Sequence, residues 1–365
     1  MKGVLRLGRV AGIKIEVHWT FTLILVWVVF LDIQAGGNAK SSLLNVAFIL
    51  VLFFCVVLHE LGHALTAKKF NIQTQKITLL PIGGVALLDK MPEDPKQELL
   101  VAVAGPAVNI VIALFLSVVI PLKSYFELQP DEIEPLLSII SFQNFLFYIF
   151  IANIMLVVFN LIPAFPMDGG RVLRALLAFK LPRVRATNIA AKVGQVFAVI
   201  FFMLGLLYNP FLVLIALFIF IGAYAENRMV QQISILKGHR VEEAMLTNIT
   251  LIKPENSIQE VVDILLAGSE KDFVVVADEK IVGILNHKDI IKHVGDRSLL
   301  VKNIMQRSFK TIEATLEITE LFNIINRGRK NFFPVTSNQK LVGAIDRSNI
   351  GEFVLIQTNL VSKRS

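Results

Sequence analysis

The property that most limits the fold of this chain is its long runs without a single charge. Leu99 to Pro121 carries none, and neither does Ser138 to Met167 or Val193 to Ala225. A bilayer's hydrocarbon core, about 30 Å thick, takes roughly 20 apolar residues to cross as a helix. Asn209-Pro210 divides the last run in two, and Trp19 to Leu31 and Leu43 to Leu58 add shorter ones, so six spans are expected. Only 18% of the residues are charged and 55% are hydrophobic, against about 25% charged in a soluble domain. An ordinary water-soluble enzyme is therefore excluded. The first run is followed by further spans and no small-residue cleavage site stands out, so a cleaved signal peptide is not expected.

The net charge of +7 would suit a nucleic-acid partner, but its distribution points to membrane orientation instead. Lys2, Arg6, Arg9 and Lys14 precede the first span. Lys68, Lys69, Lys76, Lys90 and Lys96 follow the second, and six more cations, Arg171 to Lys192, follow the fourth. The intervening connections hold only Lys40 and Lys123, the latter beside Glu127, Asp131, Glu132 and Glu134. Positive charge stays on the cytoplasmic side, so both termini are expected there and no nucleic-acid partner is needed. The single cysteine, Cys55, rules out an intramolecular disulfide and a cysteine zinc site. In an apolar helix it reads as an inert core thiol.

The chemistry concentrates in His59-Glu60-Leu61-Gly62-His63, an HExxH pattern that directly follows an uncharged run. Residues four apart share a helix face, so His59 and His63 can hold one zinc ion. Glu60, on the adjoining surface, can take a proton from a water on that ion. Ionisable groups at membrane depth are costly and mark function. A zinc protease needs a third protein ligand. Asp168 is the candidate, since it ends a thirty-residue stretch with no other charge. It could instead cap a helix beginning at Gly169. The second and fourth spans run in the same direction, which puts all three groups at similar depth. His18 reads as a non-ligand beside an interfacial Trp19, and Pro163 and Pro166 as shapers of the turn before Asp168.

These residues resemble the site-2 protease family of intramembrane metalloproteases, the M50 peptidases. The first family motif matches His59 to His63, and the second matches Asn160 to Gly170, which ends in Asp-Gly-Gly. Gly105-Pro106-Ala107-Val108-Asn109 looks like a third. Met167 stands where many members have leucine. The resemblance implies zinc on His59, His63 and Asp168, with Glu60 as general base. It also implies substrates that are themselves transmembrane proteins, as in regulated intramembrane proteolysis in a prokaryotic cell membrane. Asn109 and Asn160 are either contacts to the substrate backbone or oxyanion, or hydrogen-bonding links within the bundle. Lys76 to Leu88 reads as β-prone with a turn at Gly83-Gly84. It is either an exposed strand that pairs with unwound substrate or a surface hairpin without that role.

From about His239 the pattern changes to short apolar runs between charges and repeats after about 60 residues. Ala244-Met245 matches Ile304-Met305, Ile258 matches Ile318, and Val282-Gly283-Ile284 matches Val342-Gly343-Ala344. Lys271-Asp272-Phe273 matches Lys330 to Phe333 approximately. Each copy reads as strand, amphipathic helix, two strands and a final helix. This resembles a tandem pair of cystathionine-β-synthase (CBS) domains. The resemblance implies a module that senses AMP, ADP or ATP, with Asp289 and Asn349 near the ribose and Thr250 and Thr311 nearby. Asn349 replaces the usual aspartate, which puts one of two sites in doubt. The alternative is a purely structural module that pairs two chains as a homodimer.

The expected architecture is a polytopic α-helical membrane protein of six transmembrane helices with a small β-hairpin element, plus a cytoplasmic α/β tandem CBS module. Residues 1–230 form the membrane metalloprotease domain, 231–240 a linker, and 241–298 and 299–360 the two CBS domains. The competing class is a CBS-gated channel or transporter. It predicts ionisable residues strung through several spans instead of gathered at one depth.

Overall fold

A computed structural model of the chain describes residues 3–81, 83–88, 92–126, 141–328 and 331–362. Lys2, Lys90, the acidic group Glu127 to Glu134, and Lys330 of the repeat comparison lie outside the described residues. The chain divides into two compact units, Met1–Arg228 and Met229–Ser365.

In the first unit, strands β1 (Val4–Val10) and β2 (Ile13–His18) precede helices α1 (Phe21–Gln34) and α2 (Ala39–Lys69). Strands β3 (Thr74–Leu80) and β4 (Gly83–Leu88) follow, then helices α3 (Pro95–Val119), α4 (Phe142–Leu161), α5 (Asp168–Ala178), α6 (Arg183–Leu207) and α7 (Pro210–Leu236). Among the described residues five helices, α2, α3, α4, α6 and α7, are long and apolar enough to cross a membrane. The first expected span, α1, has 14 residues, which rise about 21 Å, short of the hydrocarbon thickness.

The helix starts follow local chemistry. Asn38 opens α2: its Oδ1 accepts from the amides of Lys40 (2.9 Å) and Ser41 (3.1 Å), while Ser41 Oγ accepts from the Asn38 amide at 2.9 Å. Such a box satisfies amides that a helix start leaves bare. Asp94 opens α3 by accepting from Gln97 N at 2.9 Å, with Pro95 in the first turn where its missing N–H costs nothing.

The β element is larger than the expected hairpin. Four strands lie in the order β1-β2-β3-β4, with β2 and β3 parallel and the other pairs antiparallel. Gly83 and Gly84 begin β4 instead of forming the turn. The alternation in Ile13-Lys14-Ile15 supplies the inner face of β2. Ile13 and Ile15 pack with Ile77 and Leu79 of β3 against Phe53, Val57 and Leu61 of α2. The sheet is thereby fastened onto the helix that carries the HExxH residues.

The second unit holds two equivalent halves. The first comprises β5 (Leu251–Ile252), α8 (Ile258–Ala267), β6 (Phe273–Ala277), β7 (Lys280–Leu285) and α9 (His287–His293). The second comprises β8 (Ile312–Glu313), α10 (Ile318–Arg327), β9 (Phe332–Ser337), β10 (Lys340–Asp346) and α11 (Arg347–Ser362). This is the element order the repeat predicts. The halves exchange their entry segments. Leu246 and Ala344 trade backbone hydrogen bonds (2.8 and 3.0 Å), and so do Gln306 and Ile284 (2.8 and 3.1 Å). Val241 is buried in the core of the second half and Val301 in that of the first. Structurally, then, each half is completed by residues that precede the other's strands. Most of the expected linker is helix, because α7 runs on to Leu236.

Candidate metal centre

His59 and His63 lie one turn apart on α2 and are both buried. The ring of His59 donates through Nδ1 to Asn109 Oδ1 at 2.5 Å, and that of His63 through Nδ1 to the Val101 carbonyl at 2.7 Å. Both acceptors belong to α3. With Nδ1 carrying the proton, each imidazole presents a bare Nε2. The two Nε2 atoms are 3.1 Å apart.

Asp168 completes the group. Its Oδ2 lies 3.1 Å from His59 Nε2 and 3.0 Å from His63 Nε2. It reaches them from the first residue of α5, with Met167 as the preceding cap residue. The capping alternative for Asp168 is thus not what the structure adopts. The turn before it is fixed by close packing: a side-chain carbon at Gly194 would stand 3.3 Å from Ala164, and one at Gly222 2.6 Å from Pro166. At Gly169 an added carbon would strike the carbonyls of Leu161 and Ile162, which explains the glycine directly after the aspartate. The Phe165–Pro166 peptide is cis.

The donor set tests whether a metal fits. Two bare imidazole nitrogens and a carboxylate oxygen, all within 4.8 Å of one another, are three acceptors converging with no donor of their own. A cation at their centre removes that conflict. Ligands placed tetrahedrally about 2.0–2.1 Å from zinc stand about 3.3 Å apart, close to the spacings here. Gly105 of α3 keeps the space open, because a side chain there would collide with both imidazoles. The residues fit zinc, and three protein ligands leave a fourth position open, as catalytic sites do.

Glu60 is half-buried on the next face of α2. Gly84 of β4 packs on it so closely that an added carbon would stand 2.8 Å from Glu60 Cγ. Asn109 is fully buried: besides receiving the His59 proton, it donates through Nδ2 to Asn153 Oδ1 at 2.8 Å. Asn153 in turn donates to the Ile149 carbonyl at 2.8 Å. Of the two roles expected for Asn109, these bonds match the bundle-internal one. Asn160 donates to the Leu156 carbonyl within α4 at 2.9 Å and does not join the cluster. His18 bonds Thr20 Oγ1 at 2.8 Å, away from the cluster.

A second buried group centres on Arg174, which the sequence offers only as one of the six cations after the fourth span. Arg174 of α5 is 0% exposed. Its Nε donates to Glu98 Oε1 of α3 at 2.8 Å and its Nη1 to Glu226 Oε1 of α7 at 2.5 Å. No local signal marks it, because Arg174 lies on a short amphipathic helix and reads as exposed until its partners are known.

In the second unit, Thr250 and Asn349 line a cavity of about 340 Å³ with Glu270, Asp272, Asp346 and Glu352. The Thr250 amide donates to the Glu270 carboxylate at 3.0 Å. Asp346 and Asn349 cap each other through amide-to-side-chain bonds of 2.9 and 2.8 Å. Burial, with Asp346 nearby, pushes the Asp272 carboxyl above its ordinary value. Asp289, one of the two expected ribose contacts, accepts from Gln306 Nε2 at 2.9 Å. Neither Asp289 nor Thr311 lines this cavity.

The model of Peptidase family M50 matches residues 47–201, and that of the CBS domain matches 241–296 and 301–355. The chain is 37% identical over 347 residues to the zinc metalloprotease MJ0392 of Methanocaldococcus jannaschii, covering 95% of this chain and 94% of that protein. It is 29% identical to the putative zinc metalloprotease sll0528 of Synechocystis, covering 96% and 95%. Among solved structures it is similar to a site-2 protease from Methanocaldococcus jannaschii, with 41% identity, a TM-score of 0.45, and coverage of 62% of this chain and 95% of that one.

Proposed function

Since the chain belongs to peptidase family M50 and is a zinc metalloprotease of the site-2 type, we propose that it hydrolyses peptide bonds in or near transmembrane segments of other membrane proteins. In this reading His59, His63 and Asp168 hold the zinc and Glu60 is the general base. The observation that carries it is the meeting of three proton-free acceptor atoms at one buried point. Bound there, zinc would supply Lewis acidity, bringing the pKa of a water beside it down to about 7.

The chain's own residues do the rest. Glu60 takes the proton of the attacking water and returns it to the amide nitrogen as the C–N bond breaks. Asn109 and the Val101 carbonyl hold each imidazole in the tautomer that keeps Nε2 free. A helical substrate shields its peptide bonds, so it must unwind before attack. The edge strand β4, packed on Glu60 through Gly84, can pair with the unwound segment as an added strand. Asn160 remains the candidate amide for the substrate backbone. The lysines and arginines after α2 and after α4 favour the cytoplasmic side of a prokaryotic cell membrane for the ends of those helices that carry the site, so the released fragment enters the cytoplasm.

The test is metal content and cleavage measured together. Glu60→Gln is expected to keep zinc and lose proteolysis, whereas Asp168→Ala loses both. Cleavage by Glu60→Gln at the wild-type rate would refute the base assignment.

A second reading concerns the CBS unit, for which we propose adenine nucleoside binding in the cavity near Thr250 and Asn349. The cavity is large enough for such a ligand. Among the described residues its lining carries four carboxylates against Lys271 as the one cation, and the Thr250 and Asn349 amides are already held by carboxylates. That charge favours adenosine or AMP over ADP and ATP. Calorimetric titration of the four ligands tests the order, and no heat from any of them removes the reading.

A further inference from the structure

Asp168 must meet two histidines more than a hundred residues earlier in the chain, yet it sits at the first residue of an 11-residue helix. The turn before that helix fixes where α5 starts. Its direction and its rotation about its own axis need a second anchor. We infer that Arg174 is that anchor, a positioning residue that holds Asp168 in register with His59 and His63. The inference rests on the reading that these three side chains bind the metal.

The geometry is specific. The Arg174 guanidinium is wholly buried and lies 4.9 Å from the centre of the Phe165 ring, in the turn before Asp168. Its Nε donates to Glu98 Oε1 at 2.8 Å, and Nη2 stands 2.5 Å from the same oxygen as an ion-pair contact. Nη1 donates to Glu226 of α7 at 2.5 Å. Arg183 of α6 supports the arrangement from outside, with Nη1 3.3 Å from Glu98 Oε2 and bonded to the Pro92 carbonyl at 2.5 Å. Two arginines and two glutamates make the group electrically neutral, which a buried charge requires.

The link to the metal runs through α3. Glu98 precedes Val101 by three residues, so the two lie on neighbouring turns of one helix face. The Val101 carbonyl orients His63, and Asn109 two turns further on orients His59. The helix bearing the carboxylate ligand is thus clamped, through one guanidinium, to the helix that aims both imidazoles. A planar guanidinium suits this clamp because its donors point in fixed directions, toward two acceptors and over a ring at once. A lysine retains the charge but not the fork.

The test uses full-length protein in detergent, with zinc affinity read by chelator competition and the ligand field read from the visible spectrum of the cobalt-substituted protein. Arg174→Lys is expected to weaken zinc binding by about 10- to 100-fold, the usual effect of losing a group that orients a ligand, and to alter the cobalt bands. Ile120→Ala, a core truncation just beyond the far end of α3 in a hydrophobic cluster that contains none of these residues, serves as a control for general destabilisation. It should lower Tm and leave both metal readings unchanged. Wild-type zinc affinity and cobalt bands in folded Arg174→Lys overturn the inference, and so does an equal loss in Ile120→Ala at matched Tm. If Arg174→Lys does not fold, Glu226→Gln removes one partner only. A several-fold loss of affinity in it supports the clamp, and none overturns it. Asp168→Ala separates the two layers: if it keeps zinc, the metal assignment itself fails, whereas zinc lost there and kept in Arg174→Lys rejects only the clamp.

Discussion

The two polar sites of this protein are built in opposite ways. In the membrane unit the three metal-site groups, Asn109 and Arg174 are buried, and most of their contacts join distant parts of the chain: Asp168 meets His59 across 109 residues, Asn109 meets His59 across 50, and Arg174 meets Glu98 across 76. In the CBS unit the polar groups of the cavity are half-buried or exposed, and some are tied to near neighbours, such as Asp346 with Asn349 three residues away. Long-range buried contacts hold geometry within tenths of an ångström, as a metal requires. Short-range exposed ones hold only the local backbone and leave the cavity open to exchange. The first arrangement suits chemistry, the second reversible binding.

If that contrast is right, changes in the membrane unit should have large effects. The largest is expected at Glu60, where Gln should reduce turnover by the 10²–10⁴-fold that a positioned base contributes, with zinc content unchanged. Next is Asn109→Leu, of similar size but unable to accept from His59 or donate to Asn153. Zinc affinity should fall about 10- to 100-fold. It should do so without any effect on substrate preference, since Asn109 is buried in the bundle. A change of cleavage site with zinc affinity intact would return Asn109 to the substrate surface.

The contrast also accounts for what could be read from the sequence. HExxH is legible because its two histidines are one helical turn apart, so their meeting is a property of the helix alone. Asp168 is legible because a lone charge closing a long uncharged stretch has few explanations. The repeat in the second unit shows because its equivalent residues sit at a constant offset, even though the exchange of Leu246 and Gln306 between halves does not. Arg174 was counted as one more cytoplasmic cation, since nothing local says that Glu98 and Glu226 will surround it. The strands β1 and β2 were missed for a similar reason. Val4 to His18 alternates, but its pairing with β3 depends on a contact about 60 residues away. The role of Asn109 is open in the sequence because its partners, His59 and Asn153, lie 50 and 44 residues away on other helices.

In the CBS unit the expected effects are smaller. Glu270→Gln frees the Thr250 amide from a carboxylate and removes one negative charge from the cavity. Affinity for ATP should rise several-fold relative to adenosine. A single exposed charge in water at about 4 Å contributes on the order of 1 kcal/mol. Equal change for both ligands in side-by-side titrations would show that the lining charge does not set selectivity.

The smallest effect is expected at Glu243, which closes the entry to the second half. It accepts from the Arg240 amide at 2.7 Å and pairs with His239 Nδ1 at 2.7 Å. The Arg240 amide, then His239, lowers its carboxyl below the ordinary value. A carboxyl lowered in the folded state adds stability that is fully present above its unfolded value, near 4.3. That contribution is lost as pH falls through the lowered folded value. The side chain is 42% exposed, so solvent screens the pair and Glu243→Gln should cost only a few tenths of a kcal/mol at pH 7. The gap between wild type and variant should close as the pH drops below 4.3 and the glutamate takes up its proton. A loss of several kcal/mol, or a gap that stays constant down to pH 3, would mean that this exposed local pair behaves like the buried Arg174 group. The division between the two regions would then not hold.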